Sequence, residues 1–139
     1  ADTAVQLALT EMDKNLRDMY NEAYNSPKIS AFIYERTTKE LYGLFKGYLP
    51  DYSEGDFYEL EIGSGGIMRN YMTVPTNMYF TLEKKIRRFL DLSLTIYHVP
   101  EAERQAVIDY VLQMDLEKMA QKVVNKLFKR LSGEYPYPE

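Results

Sequence analysis

An all-α fold of five to six helices is predicted for this chain by two observations. Apolar residues recur at three- and four-residue steps along most of its length, and cap or breaker residues stand where those runs end. From Thr3 to about Asn25, Val5, Leu9, Met12, Leu16, Met19 and Ala23 share one helical face, opposite Asp13, Lys14, Arg17 and Asp18. Ser26-Pro27 then caps and opens a second helix to about Lys46, with Ile29, Phe32, Ile33, Leu41, Leu44 and Phe45 on its apolar side. Gly47, Pro50 and Gly55 mark the loop that follows.

Ser53-Glu54-Gly55-Asp56 reads as a capping box that opens a third helix through Phe57, Leu60, Ile67, Met68 and Tyr71. That helix carries Gly63, Ser64, Gly65 and Gly66 at its middle. Each glycine inside a helix costs about 1 kcal/mol relative to alanine, so a break is expected here, or a close approach of another helix or a ligand. Thr73 to Thr76, around Pro75, connects to a fourth helix from about Asn77 to Tyr97. Its two adjacent stripes, Tyr79, Leu82, Ile86, Phe89, Ser93, Ile96 and Leu90, Leu94, Tyr97, imply burial on more than one side. Val99-Pro100 breaks the chain, and Glu101 and Glu103 begin a last helix running to about Leu131. Val107, Val111, Met114, Met119, Val123, Leu127 and Leu131 form its apolar side, and Ser132-Gly133 stops it. The organisation expected is one helical sensing and dimerisation domain over 1–133, followed by a loose, Pro-punctuated tail over 134–139.

Composition narrows the function. A length of 139 residues, 45% hydrophobic and 27% charged, supports one domain with a real core and argues against disorder. No apolar run reaches the ~20 residues of a membrane span, and no signal-peptide pattern opens the chain. The absence of Cys removes disulfide and thiolate chemistry and fits a reducing compartment, so a cytoplasmic protein without membrane contact is expected. The chain begins at Ala1 without Met, which suggests a processed or excised piece. A net charge of −4 makes the chain as a whole a poor partner for nucleic acid.

No enzyme is expected, and no cofactor or metal. The single His98 cannot supply the two Glu-x-x-His pairs of a di-iron bundle. Haem ligation needs one His, but a solvated or capping role at a helix end is the plainer reading. Gly63-Ser64-Gly65-Gly66 lacks the strand before it and the Lys-Ser/Thr pair after it that a phosphate loop requires. Glu59/Glu61, Glu101/Glu103 and Asp115/Glu117 are two residues apart and point to different helical faces, so they read as solvated charges or caps. Lys84, Lys85, Arg87 and Arg88 read as a solvated basic face beside Glu83 and Asp91.

The distinctive feature is 13 Tyr, 7 Met and 6 Phe without Trp. Tyr and Met suit an adaptable, partly polar cavity, although they also suit an ordinary core. Phe57, Glu61, Ser64, Met68 and Tyr71 step by four, three, four and three, so a carboxylate and a hydroxyl share one helical wall with aromatic and thioether groups. A ligand pocket is expected from Tyr24, Tyr34, Phe57, Glu61, Ser64, Met68, Tyr71 and Met72. Burying an unpaired carboxylate is costly, so Glu61 should meet a partner from a ligand, Arg36 or Arg69. A ligand partner would favour an apolar cation, since Tyr and Phe faces attract positive charge. The doubled stripe and the long last helix predict a homodimer through Phe89, Leu90, Leu94, Tyr97, Val107, Val111 and Met114.

The stretches NLRDMYNEAYNSPKIS (15–30), FYELEIGSGGIMRNYM (57–72) and MYFTLEKKIRRFL (78–90), in this order of helices, resemble the C-terminal domain of tetracycline-repressor-like (TetR/AcrR) transcriptional regulators. The resemblance covers about residues 3 to 132. It implies an effector-binding domain whose last two long helices, here 77–97 and 100–131, pair with those of a second subunit as a four-helix bundle. It also implies a small apolar or amphipathic effector held among the preceding helices. DNA contact would come only through an N-terminal helix-turn-helix that this chain does not contain. Two other classes stay open: a globin-like or other helical sensor of haem or a fatty acid, and a helical interaction protein with a filled core and no ligand.

Overall fold

Capping chemistry sets the helix boundaries in the computed structural model, which describes residues 2–12 and 14–131. Seven helices lie among the described residues: α1 Asp2–Met12, α2 Lys14–Asn25, α3 Pro27–Phe45, α4 Glu54–Thr73, α5 Leu82–Ile96, α6 Glu101–Leu112 and α7 Leu116–Leu131. The protein is all-α. Expectations for Asp13, for the stop at 132–133, for the tail 134–139 and for the side chains of Thr3, Val5, Met12, Leu16, Tyr20, Leu127 and Leu131 lie outside the described residues.

Ser26 caps α3 by accepting the Ile29 amide at 3.4 Å, with Pro27 in the first helical position. The capping box of α4 is complete: Ser53 Oγ accepts the Asp56 amide at 3.2 Å, and Asp56 accepts the Ser53 amide at 2.8 Å. Helix α5 ends one residue before the expected Tyr97, and His98 follows with φ of 59°. The Val99 amide donates to Leu94 O at 3.1 Å and the His98 amide to Thr95 O at 3.0 Å, a Schellman motif with histidine where glycine usually stands. The single histidine is therefore an exposed helix cap, its ring 6.1 Å from that of Tyr52.

The helix expected over 3–25 is two, α1 and α2, and two further boundaries differ from expectation for local reasons. Helix α5 begins at Leu82 rather than Asn77, because Asn77 Oδ1 accepts the amides of Tyr79 at 2.8 Å and Phe80 at 2.9 Å and holds 77–80 as a turn. Thr81 then becomes the N-cap, accepting the Lys84 amide at 3.3 Å. The single helix expected over 100–131 is two, because Asp115 accepts the Lys118 amide at 3.0 Å and starts α7 afresh. The two extra breaks, between α1 and α2 and between α6 and α7, raise the helix number among the described residues to seven, above the five to six expected.

Helices α1 and α4 are central: α1 packs against α2, α4, α5 and α7, and α4 against α1, α2, α3 and α5. Burial around α1 follows from that position. Ala4, Leu7, Ala8, Leu9 and Thr10 are all buried, although only Leu9 among them lies on the predicted stripe, whereas Met19 of that stripe is 58% exposed. Ala4, Ala8 and Ala120 join the larger core, which also holds Met68, Met72, Ile86, Phe89, Leu90, Ile108, Val111 and Leu116. Leu116 and Ala120 bring α7 onto α1, with small residues that permit close approach. A smaller core of Leu49, Phe57 and Tyr97 sits near the 46–49 turn, with Leu41, Tyr42, Phe45, Leu60 and Ile96 around it.

Lys85 corrects the reading of 84–88 as a wholly solvated face. It is fully buried, pairs with Glu11, and donates to Val74 O. Glu11 also accepts the Thr76 amide at 3.1 Å and the Thr76 hydroxyl at 2.8 Å. One ion pair thus ties α1, the connector and α5 together.

Candidate functional site

The capping box aims α4 so that Phe57, Glu61, Gly65, Met68 and Met72 face inward, while Ile62 and Gly63 face water. Helix α4 runs unbroken through its glycines. Their use is the close approach: a Cβ on Gly65 would stand 2.6 Å from Tyr34 Cε1 and 3.2 Å from Glu61 Oε1. A Cβ at Gly63 or Gly66 would meet nothing within 4 Å. The Tyr34 ring of α3 therefore lies over bare backbone beside Glu61.

Glu61 is 4% exposed. Ser64 donates its hydroxyl to Glu61 Oε2 at 3.0 Å, and the Tyr97 hydroxyl reaches the same oxygen at 3.3 Å and Ser64 Oγ at 3.3 Å. No Lys or Arg forms an ion pair with Glu61 among the described residues; Arg36 faces Glu40 at 4.0 Å on the surface, and Arg69 is exposed. Burial pushes the Glu61 carboxyl up to about 7, against the opposing hydrogen bonds from Ser64 and Tyr97. Burial also raises the Tyr97 phenol, with the neighbouring carboxylate adding to the effect. The cluster is a carboxyl able to take or release a proton near neutrality.

The aromatic residues above it are stacked. Tyr97 lies between Phe45, at 4.9 Å and 13° between planes, and Phe57, at 5.9 Å and 17°. Tyr42 meets Phe57 edge-on at 5.2 Å. The expected pocket residues are therefore divided. Phe57, Glu61, Ser64 and Tyr34 gather around the carboxyl. Met68 and Met72 are buried in the larger core, and Tyr24 packs at its edge with its ring 6.5 Å from that of Tyr34. Tyr71 turns toward Phe80 and Phe89, at 6.4 and 6.1 Å. A cleft of about 460 Å³ opens elsewhere, between α3 and the start of α4, beside Phe32, Arg36, Thr38 and Tyr58.

The face expected to meet a second subunit is largely interior. Phe89, Leu90, Leu94, Tyr97 and Val111 are buried within the chain, and Met114 is half-buried against the larger core. Val107 remains 40% exposed. The long straight helix that would have carried this face outward is broken at Asp115. Tyr97 is thereby reassigned, from an interface residue to a donor for Glu61. No spacing rule links positions 61 and 97, because their meeting depends on how α5 crosses α4.

Among the described residues no group of three or more His, Asp or Glu is placed to hold a metal ion, and no helix is long and apolar enough to cross a membrane. Comparison with known protein families, with curated proteins and with solved structures finds no match to this chain.

Proposed function

We propose that this chain is the ligand-sensing and dimerisation part of a one-component transcriptional repressor of the tetracycline-repressor-like kind, with DNA contact supplied by a helix-turn-helix domain outside it. The observation that carries the reading is Glu61, a buried carboxyl held by two hydroxyls and no cation among the described residues, in an aromatic surround. An apolar cation entering this site would replace the proton and meet ring faces on several sides. Tyr34 is the wall that would move, since it is half-buried and its ring lies over Gly65, which has no Cβ. Its displacement would transmit occupancy to α3. Dimerisation would use the apolar groups that α6 and α7 leave exposed: Val107, Tyr110, Met119 and Val123.

Tetraphenylphosphonium is a suitable probe for thermal-shift and calorimetric titration. Saturable binding to the parent protein, lost in Glu61→Gln, is the expected result. Light scattering should give twice the chain mass, returning to one chain in Val107→Glu without loss of fold. The competing reading, a ligand-free helical interaction domain, is favoured by the tight stacking of Phe45, Tyr97 and Phe57. It prevails if no cation shifts the melt and Glu61→Gln only changes stability.

A further inference from the structure

We propose that a cleft between α5 and α6 binds a small amphipathic organic anion, with an aromatic or short aliphatic body and a phosphate or carboxylate head. The cleft has a volume of about 680 Å³, within the range that holds small molecules. Helix α5 contributes Lys84, Arg87 and Arg88, three and four residues apart and so on one face. Tyr71 of α4 and Phe80 of the connector form an aromatic wall, their ring centroids 6.4 Å apart.

The charges in this cleft do not cancel. Asp91, its acidic member, is engaged by Arg104 at 3.1 Å. Arg87 faces Glu83 at 3.9 Å and Asp109 at 3.7 Å, both at exposed positions where such pairs are weak. Lys84 donates to Tyr79 O at 3.2 Å and keeps two further N–H groups. Arg88 is exposed and makes no ion pair or hydrogen bond among the described residues. A guanidinium fork beside an ammonium matches a phosphate or carboxylate head, and the adjoining rings match an apolar body. A polyanion is disfavoured because the chain carries a net charge of −4, whereas one short anion meets only the local positive field. This site is independent of the Glu61 reading, which concerns a ligand of opposite charge.

The test is a titration of the full chain with 1-naphthyl phosphate, 1-naphthol and inorganic phosphate, followed by amide chemical shifts and calorimetry. 1-Naphthyl phosphate should shift amides at 84–91 and 105–108, and bind about tenfold or more tightly than either of its halves. Arg88→Gln should weaken it about tenfold, with an unchanged melting temperature because the side chain is exposed. The proposal is overturned by any of four results: no saturation by about 5 mM, shifts mapping to another face, equal affinity for 1-naphthol or inorganic phosphate, or unweakened binding by Arg88→Gln.

Discussion

Glu11 and Glu61 are both carboxylates withdrawn from water, yet their surroundings move their proton affinities in opposite directions. Burial acts to raise Glu11, but hydrogen bonds from Lys85 and Thr76, with the Lys85 charge, outweigh it and hold the carboxyl below its ordinary range. Burial acts in the same sense on Glu61, and there the hydroxyls of Ser64 and Tyr97 do not outweigh it. A hydroxyl donates one hydrogen bond without a full charge, whereas a buried ammonium adds its Coulombic attraction to its hydrogen bonds. The Glu11–Lys85 region is thus a structural tie with fixed charge. The Glu61 region holds a carboxyl whose charge depends on pH near neutrality.

Six substitutions break or sharpen this contrast. Glu11→Gln should have the largest effect, because it leaves the fully buried Lys85 ammonium without its counter-charge; about 3–5 kcal/mol of stability should be lost. Urea unfolding at pH 7 measures it. Lys85→Met should cost less, since it removes the buried cation and Glu11 is 12% exposed and can be hydrated. Equal losses would show that the tie is a matter of packing rather than charge.

The pH dependence of the two regions should be opposite in sign. Glu61 keeps its proton in the fold up to about 7, while the unfolded chain releases it near 4.5. Its contribution is therefore full below pH 4.5 and lost as pH rises through 7, by an amount on the order of 3 kcal/mol. Glu61→Gln should flatten that decline. Glu11 contributes above its unfolded value of 4.5 and loses its contribution as pH falls through its lower folded value. Coincident profiles for parent and Glu61→Gln between pH 4.5 and 8 would remove the contrast.

Gly65→Ala comes next, at about 1–3 kcal/mol, because its Cβ would meet the Tyr34 ring at 2.6 Å. Gly63→Ala, with open space around the new methyl, should instead stabilise by about 0.5–1 kcal/mol. Similar shifts in the two melting curves would show that Tyr34 swings aside freely. Tyr97→Phe should be the smallest change, about 1 kcal/mol or less at pH 8, since the lost hydrogen bond is 3.3 Å long. Because that bond favours the charged carboxylate, its loss should move the Glu61 midpoint upward in a carboxyl-resolved NMR titration.

The all-α class, the caps at Ser26 and Ser53, and the inward alignment of Phe57, Glu61 and Met68 were readable from residues a few positions apart. A cap is a contact between residues three apart, and a helical face is set by 3.6 residues per turn, so both depend on local geometry. Asn77 and Asp115 were also local signals, but each lies inside an amphipathic run. There the periodicity and the turn-forming side chain are competing local signals, and the side-chain-to-backbone hydrogen bond interrupts the helix that the periodicity predicts. The burial of Lys85, the stacking of Tyr97 between Phe45 and Phe57, and the inward turn of Phe89, Leu90 and Leu94 had no such signal. Burial is a sum over every element that crosses a residue, and periodicity describes one element at a time. Hence α5 showed two apolar stripes without showing that both belong to its own chain. Glu61 showed its need for a partner without showing that the partner is a tyrosine hydroxyl 36 residues away.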